Sequence, residues 1–442
     1  MIQTTIFDML YPKFKINKDI RLITLFSGYD SQALSLKYLN VPFEHYKTCE
    51  WAVKSIQALK DLHFGEVETE CNLDKKQLVD YLFEKGVSSN YNEPMNRQQL
   101  ERMNETQLAT IYKNIKATNN LVNIQKASAE DLGIVDTNKY CYIITYSFPC
   151  QDLSVGGNRK LMGDTSTRSG LLWEVERLLT ECKEKPQVLL MENVVQVHGE
   201  GAVQDFNKWQ LRLEELGYKN YWEDLIATDY GIPQSRNRCF MVSILGDYSY
   251  SFPPKIELKL RLKDLLEPNV DEKYYLSDKL IDCFMSEKSM GTMTRKERFL
   301  QNINRENQDI ANTLTTLEGN RATDTFIVSK HLRETLEQNS ELTDGAFIDA
   351  YNRKIKNNNL AATLTTRTND GNDTFIAVNE VSMRIRKLTP LECFRLMGVR
   401  DEDFWKVAKN QSNASLYHLA GDSIVVNVLM AIFKEMINYE VN

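Results

Sequence analysis

No two cysteines stand at Cys-x-x-Cys spacing, although the chain holds Cys49, Cys71, Cys141, Cys150, Cys182, Cys239, Cys283 and Cys393. Thiols scattered in this way speak against a zinc site and a disulfide framework, and for a reducing cytoplasm. No run approaches the ~18 consecutive apolar residues that a membrane span requires. The first stretch, MIQTTIFDMLYPKFK, lacks the basic region and apolar core of a secretory signal. Basic charge is also short, with Lys and Arg at 54 against 61 for Asp and Glu and a formal net charge of −7. That balance argues on its face against a nucleic-acid partner. The argument is weak, because a groove can be basic while the rest of the surface is acidic.

What is present is a soluble globular composition, 42% hydrophobic and 26% charged, and a length of 442 residues, enough for two domains. The chain turns on residues 140–157. Its first half, 140–146 (YCYIITY), is an apolar, β-branched and aromatic run of buried-strand length. Pro149 stops the ladder, and Cys150 stands at the strand's exit, opening onto Gln151, Asp152, Ser154 and the Gly156-Gly157 pair. A reactive thiol would be placed in this way. Free cysteines are, however, as often small buried hydrophobes, so the rest of the chain has to decide.

Residues 21–25 read as a strand and 32–39 as a helix, joined by the tight turn Phe26-Ser27-Gly28-Tyr29-Asp30-Ser31. Such turns bring backbone N–H groups up to a ligand, though only one glycine is present. The next strand, 44–49, ends in Glu50-Trp51. Glu50 follows Gly28 at about the spacing, ~20 residues, at which a carboxylate meets a ribose diol in nucleotide-binding units. Residues 67–123 read as an insertion, with helices over 80–85 and 97–116 in a packing or lid role.

Beyond Cys150 come a helix over 169–179, a strand over 187–191 ending in Glu192-Asn193-Val194, a helix over 206–216 and a strand over 222–227. The loop Gln234-Ser235-Arg236-Asn237-Arg238 then leads to a strand over 239–245. This alternation predicts an α/β fold with a mainly parallel, doubly wound sheet. Ligands in such sheets sit at strand ends, where Phe26, Glu50, Cys150 and Glu192 all fall.

After Pro253-Pro254 the texture becomes polar and rich in Asn and Thr. An internal repeat appears, Ala311-Asn312-Thr313-Leu314-Thr315-Thr316 and Ala361-Ala362-Thr363-Leu364-Thr365-Thr366, each followed by Asp-Thr-Phe-Ile. Each copy reads as a short strand, a polar loop and a returning strand, an arrangement suited to a surface reader. Residues 383–400 are basic, and 423–437 is an apolar helix that must return to the first domain's core.

These residues together resemble the DNA (cytosine-5)-methyltransferases, in particular the phage and prophage branch. The matching segments are Thr24-Leu25-Phe26-Ser27-Gly28, Glu50-Trp51, Ser147-Phe148-Pro149-Cys150-Gln151, Glu192-Asn193-Val194, Gln234-Ser235-Arg236-Asn237-Arg238, Arg386-Lys387-Leu388-Thr389-Pro390-Leu391-Glu392 and Gly421-Asp422-Ser423-Ile424-Val425-Val426. Any one is weak; all of them in the family's order are specific. The resemblance implies a doubly wound methyltransferase sheet with a second, smaller, irregular or β-rich target-recognition domain. Its expected boundaries are 1–255 for the catalytic domain, 256–382 for target recognition and 383–442 for a segment returning to the catalytic domain.

The resemblance further implies S-adenosylmethionine as cofactor, with Phe26, Ser27, Gly28, Glu50, Trp51, Ser128, Pro149, Leu171 and Ser423 around it. It implies Cys150 as nucleophile on cytosine C6, Glu192 as the acid at N3, and Arg236 and Arg238 orienting Glu192, the Cys150 loop or the base. Double-stranded DNA is the implied partner, with the target base leaving the duplex. The tip of the second repeat copy, Thr363, Leu364, Arg367, Asn369 and Asn372, is the candidate base reader, and Glu318, Asn320 and Arg321 of the first copy either read or buttress. No metal, no membrane, a monomer and a bacterial cytoplasmic setting complete the expectation. The chain departs from the family pattern at Tyr29-Asp30-Ser31, at Ala127-Ser128 and at Asp422. An RNA cytosine-5-methyltransferase, and a DNA-binding protein without turnover, are the competing readings. A nicotinamide oxidoreductase is disfavoured by the single glycine and by Cys150 with Glu192.

Overall fold

The computed structural model describes residues 11–148, 169–286, 288–290, 293–304, 309–321, 324–331, 347–349, 354–356, 374–376 and 382–437. The chain forms two compact units. The first is Met1–Pro268 with Gln308–Asp324 and Thr389–Asn442, and the second is Asn269–Asn307 with Thr325–Leu388. The first unit therefore continues past residue 255, and it takes in the Thr313-Leu314 copy of the repeat.

In the first unit the chain runs β1 (Asp19–Leu25), α1 (Ser31–Tyr38), β2 (Phe43–Cys49) and α2 (Val53–His63). The insertion follows as α3 (Lys75–Lys85), α4 (Arg97–Glu101) and α5 (Glu105–Ala117). Then come α6 (Ala129–Leu132), β3 (Tyr140–Tyr146), α7 (Leu172–Glu181), β4 (Val188–Val194), α8 (Val203–Glu215), β5 (Tyr218–Ile226) and β6 (Asn237–Leu245). The sheet order is β2-β1-β3-β4-β6-β5. Pairings among β2, β1, β3 and β4 are parallel, and β6 runs antiparallel to both β4 and β5. Strands buried on both faces read as near-continuous apolar runs, which is why β3 and β4 are so plain in the sequence.

One face of the sheet, with Ile23, Tyr142, Ile144, Leu189 and Met241, packs on Val175 and Leu178 of α7 and on Phe206, Trp209 and Leu213 of α8. Trp209 is fully buried, and its Nε1 donates to the Tyr146 hydroxyl at 3.1 Å, so the indole brings no unpaired donor into the core. The insertion has a core of its own, built from Leu78, Leu82, Leu100, Leu108, Ile111 and Ile115. The expected helix over 97–116 is broken between α4 and α5. Asn104 accepts from the Gln107 backbone and Gln107 answers through its side chain, so a capping box restarts the helix.

The second unit holds α9 (Asp278–Phe284), β7 (Ser289–Met290), β8 (Met293–Thr294), α10 (Arg295–Asn302), β9 (Ile303–Asn304), β10 (Phe326–His331), β11 (Phe347–Asp349), β12 (Lys354–Lys356), β13 (Thr374–Ile376) and β14 (Ser382–Lys387). Its strands form small sheets, β14-β10-β9, β12-β11-β13 and β7-β8. Phe284, Phe299 and Phe326 pack ring on ring at 5.0–5.5 Å.

The C-terminal segment of the first unit is helical: α11 (Pro390–Leu396), α12 (Asp401–Ala408), α13 (Asn413–Asp422) and α14 (Val426–Met436). The expected helix over 423–437 starts later, because Ser423 is extended at φ −84° and ψ 169°. By length and composition the stretch Asn413–Met436 could cross a membrane, with an 18-residue window of mean hydropathy 1.6, but 72% of that window is buried within the fold. On the sheet face opposite α7 and α8, α14 packs against α1. Here its apolar side chains are taken up.

Candidate active site

The turn after β1 is built from left-handed backbone, with φ of 58° at Phe26, 56° at Gly28 and 66° at Asp30. For Phe26 and Asp30 this costs about 1 kcal/mol or more each, so other contacts must hold the turn. Phe26 and Ser27 donate their N–H groups to the Cys49 carbonyl at 2.8 and 3.3 Å. Asp30, standing where the family pattern has glycine, is fully buried. It accepts from Ala33 N at 3.0 Å, from the Thr24 hydroxyl at 2.8 Å and from His45 Nε2 at 2.7 Å. Burial pushes its carboxyl upward, but His45 and these donors prevail, and it lies below the usual carboxylate range. The departure at Asp30 is thus a cap for α1 and a lock on the turn. Beside Gly28 there is open space, since a Cβ there would meet nothing within 4 Å.

Glu50, one residue past β2, faces that turn. Its carboxylate accepts from Gly28 N at 2.9 Å and from Ala52 N at 2.7 Å. Burial raises its pKa to about 7, against the pull of those N–H groups. Asn120 holds the Glu50 backbone from both sides, accepting its N–H and donating to its carbonyl, each at 3.0 Å. Sequence reasoning missed Asn120, which has no motif around it. Its position follows from a single parallel bridge, Thr48 to Asn120, beside β2. The residues that follow that pairing are Val122, Asn123 and Ile124, not Ala127 and Ser128. Ser128 instead caps α6, its hydroxyl engaged with Asp131. Trp51 packs on the insertion's core.

Glu192 lies within β4 rather than past its end and is 5% exposed. The Ser147 hydroxyl donates to its Oε2 at 2.5 Å, and Arg238 Nε stands 3.2 Å from its Oε1. Ser147 is a further residue that sequence reasoning passed over, although it opens the Ser-Phe-Pro-Cys motif. Asn193 donates to the Phe148 carbonyl at 3.1 Å and so ties β4 to the exit of β3. Leu171 is partly buried at the start of α7. Pro149 and Cys150 lie outside the described residues.

Arg236 separates from Arg238. It is 4% exposed and donates to the carbonyls of Leu314 at 3.3 Å, Gly421 at 3.0 Å and Ser423 at 2.8 Å. The first repeat copy, the QSRNR loop and the Gly421-Asp422-Ser423 corner therefore meet at one guanidinium. Ser423 also receives the Tyr29 hydroxyl at 2.9 Å, which joins this corner to the turn after β1. Within the first copy Glu318 is buried and accepts from Thr315 N at 3.1 Å, and Asp324 is buried and accepts from Arg321 N at 2.8 Å. Glu318 is thus turned into the fold, while Asn320 and Arg321 are exposed. Thr363, Leu364, Arg367, Asn369 and Asn372 lie outside the described residues.

Packing at this corner is tight. A Cβ on Gly421 would stand 2.5 Å from Thr315 C and Thr316 N, both main-chain atoms that cannot swing aside. Gly421→Ala is expected to destabilise the fold by about 1–3 kcal/mol through overpacking. The lowered midpoint in urea unfolding checks it, and an unchanged midpoint would show the corner to be loose.

A protein-family model, C-5 cytosine-specific DNA methylase, matches residues 97–438. Type II methyltransferase M2.ScrFI of Lactococcus lactis subsp. cremoris is 32% identical over 425 residues, covering 94% of this chain and 99% of that protein. Orphan methyltransferase M.SPRI of Bacillus phage SPR is 30% identical over 363 residues, covering 66% of this chain and 82% of its own. Among solved structures, S. pombe Dnmt2 methyltransferase superposes with a TM-score of 0.55 at 15% identity, over 94% of this chain and 97% of its own, a likeness of fold.

Proposed function

Because this chain belongs to the C-5 cytosine-specific DNA methylase family, we propose that its chemistry runs through Cys150 and Glu192 on a cytosine turned out of double-stranded DNA. The enzyme is a DNA (cytosine-5)-methyltransferase, and its cofactor is S-adenosylmethionine. The observation that carries the mechanistic reading is the junction of β3 and β4. Tyr146 pairs with Met191, and Ser147 reaches Glu192 one residue later at 2.5 Å. Cys150 is only three residues beyond Ser147 in the chain, a reach of at most about 11 Å. β3, which leads to Cys150 in the sequence, and β4, which carries Glu192, are parallel neighbours and so run toward the same end of the sheet.

In this reading the Cys150 thiolate adds to C6 of cytosine, and Glu192 holds a proton at N3 so that C5 gains enamine character. Arg238 and Ser147 orient Glu192. After C5 is methylated, loss of the C5 proton and departure of the thiolate restore the aromatic base. Arg236 acts at a distance, fixing the pocket corner.

The residues around Gly28 and Glu50 fit the cofactor. There is room beside Gly28, Glu50 supplies an acceptor for a diol, and Glu50 and Asp422 bring two coupled carboxyl groups to the side where a cation is to be held. Bound there, S-adenosylmethionine supplies a methyl group activated by its sulfonium charge, so the reading needs no metal. Phe26, Trp51 and Leu171 would add apolar surface, and Ser423 a polar wall.

A pH dependence follows. With a pKa of about 7 in the free protein, Glu50 is largely protonated below pH 7. A diol donating to it favours the carboxylate, so binding below pH 7 must release a proton. Cofactor affinity should therefore rise with pH up to about 7 and then level off. Calorimetry at pH 6 in two buffers of different ionisation enthalpy should show the release, and Glu50→Gln should flatten the profile. A flat profile in the parent protein would remove Glu50 from the ligand's hydrogen bonds.

The finer calls belong to the same proposal: the second repeat copy reads bases, the protein is monomeric, and it works in the cytoplasm beside the DNA. Bisulfite sequencing of DNA from cells expressing the protein tests the substrate reading and yields the recognised site. Parallel assays on duplex DNA and RNA decide between the two polymers. Methylation of RNA alone would overturn the assignment.

A further inference from the structure

Tyr91 lies on the loop between α3 and α4 and has φ of 63°, an outlier for an aromatic residue. A conformation of this kind persists only where its surroundings hold it, and it is found disproportionately at functional sites. The loop is stitched to the segment that carries Glu50. Ala52 and Ser88 form a parallel bridge, Ser88 N donates to the Trp51 carbonyl at 2.7 Å, and Val53 N donates to the Ser88 carbonyl at 2.9 Å. The Tyr91 ring stacks on His418 of α13, with centroids 3.8 Å apart and planes 15° from parallel. His418 Nδ1 in turn stands 3.1 Å from Asp422 Oδ2.

The Asp422 side chain is 56% exposed, so the carboxylate is open to a ligand. Its two neighbours in the chain, Gly421 and Ser423, are fixed by Arg236 at 3.0 and 2.8 Å. Asp422 also feels the charges of Glu50 on one side and Glu192 on the other. It is therefore coupled electrostatically to both the residue assigned to the ribose and the residue assigned to the target base. The Tyr91 hydroxyl is buried and has no partner in hydrogen-bond geometry among the described residues. Ser55 and Ser415 are its nearest hydroxyl neighbours, and the well-defined contact that Tyr91 makes is through its ring.

We propose that the insertion acts in cofactor binding through Tyr91, whose ring, stacked on His418, sets the His418–Asp422 pair against the S-adenosylmethionine pocket. The inference rests on the reading of Glu50 and Ser423 as pocket residues. Tyr91 and His418 are positioning residues, and Asp422 is the group they aim. When Asp422 is ionised its charge is negative, so misplacing it weakens the sulfonium-bearing cofactor more than its demethylated product, which lacks that charge.

The test is calorimetric titration of the full-length protein with S-adenosylmethionine and, separately, with S-adenosylhomocysteine. Tyr91→Asn removes the ring and suits positive φ better than tyrosine, so its melting temperature should hold or rise. Its Kd for S-adenosylmethionine should nonetheless rise about five- to tenfold, as loss of a stacked ring pair warrants. The Kd for S-adenosylhomocysteine should rise less. Tyr91→Phe, which keeps the ring, should restore the parent value, and Tyr91→Leu serves as the ring-deleted variant if the asparagine protein does not fold. Unchanged S-adenosylmethionine binding in the ring-deleted variant, or equal weakening of both ligands, would overturn the proposal. Glu50→Ala separates the two levels. If it leaves binding intact, the pocket reading fails, whereas weak binding in Glu50→Ala with normal binding in Tyr91→Asn defeats the Tyr91 proposal alone.

Discussion

Cys150→Ser is expected to abolish methyl transfer while duplex binding persists. A hydroxyl at neutral pH is a far weaker nucleophile than a thiolate. Four of the other thiols are too deeply buried to substitute. Burial pushes Cys182 up to about 11 and Cys141 up to about 12, and it holds Cys49 and Cys239 higher still, so all four stay protonated. DNA carrying 5-fluorocytosine at the target gives the direct readout. Fluorine cannot leave as a cation, so the thiol–base adduct should accumulate with the parent protein and survive denaturing electrophoresis, and Cys150→Ser should form none. An adduct in the serine variant, or turnover near the parent rate, would place the nucleophile elsewhere.

Glu192→Gln should slow the chemical step by ~10²-fold or more, the loss typical of removing a positioned acid. The substitution preserves the shape of a side chain that is only 5% exposed. It can still accept from Ser147, but it ends the ion pair with Arg238 and the sharing of a proton with N3 of the base. Cofactor affinity should stay within the parent range, because Glu192 is not among the groups that hold the turn or Glu50. The effect must appear in a single-turnover experiment with excess enzyme, where product release is invisible. A normal single-turnover rate with slow steady-state turnover would move Glu192 from chemistry to release.

Much of the sheet was legible because its strands are buried on both faces. YCYIITY and VLLMENV announce themselves by composition, and only their ends needed the structure. Glu192 was read as a strand-end residue and proved to lie inside β4, paired with Phe240 of β6, since a polar residue in a strand looks no different in sequence from one in a loop. The split between Arg236 and Arg238 was not readable at all. A sequence shows a guanidinium but not whether its acceptors are carboxylate or main-chain oxygens, and those of Arg236 come from residues far apart in the chain. Ser128 was misplaced for a related reason. The third strand of the pattern is reduced here to one bridge at Asn120, with no apolar run to mark it. The break between α4 and α5 was visible as Asn104 followed by Gln107, but the apolar stripe on either side hid it.

The apolar pairing of α1 with α14 also bears on how the protein is made. Tyr29 meets Ser423 across 394 residues, and Ile16 N donates to the Met436 carbonyl. At ~5–20 residues per second, a ribosome takes about 20–80 s to bring the second partner of such a contact into being. During that interval Leu34 and Leu36 of α1, both fully covered in the finished protein, have no helix to cover them. The nascent chain is therefore expected to engage chaperones over most of its synthesis, and a product ending before residue 426 has every strand of its sheet but lacks the helix that packs on α1. Cells that tune expression of this enzyme by temperature should find yield limited by this wait rather than by the stability of what is finally folded.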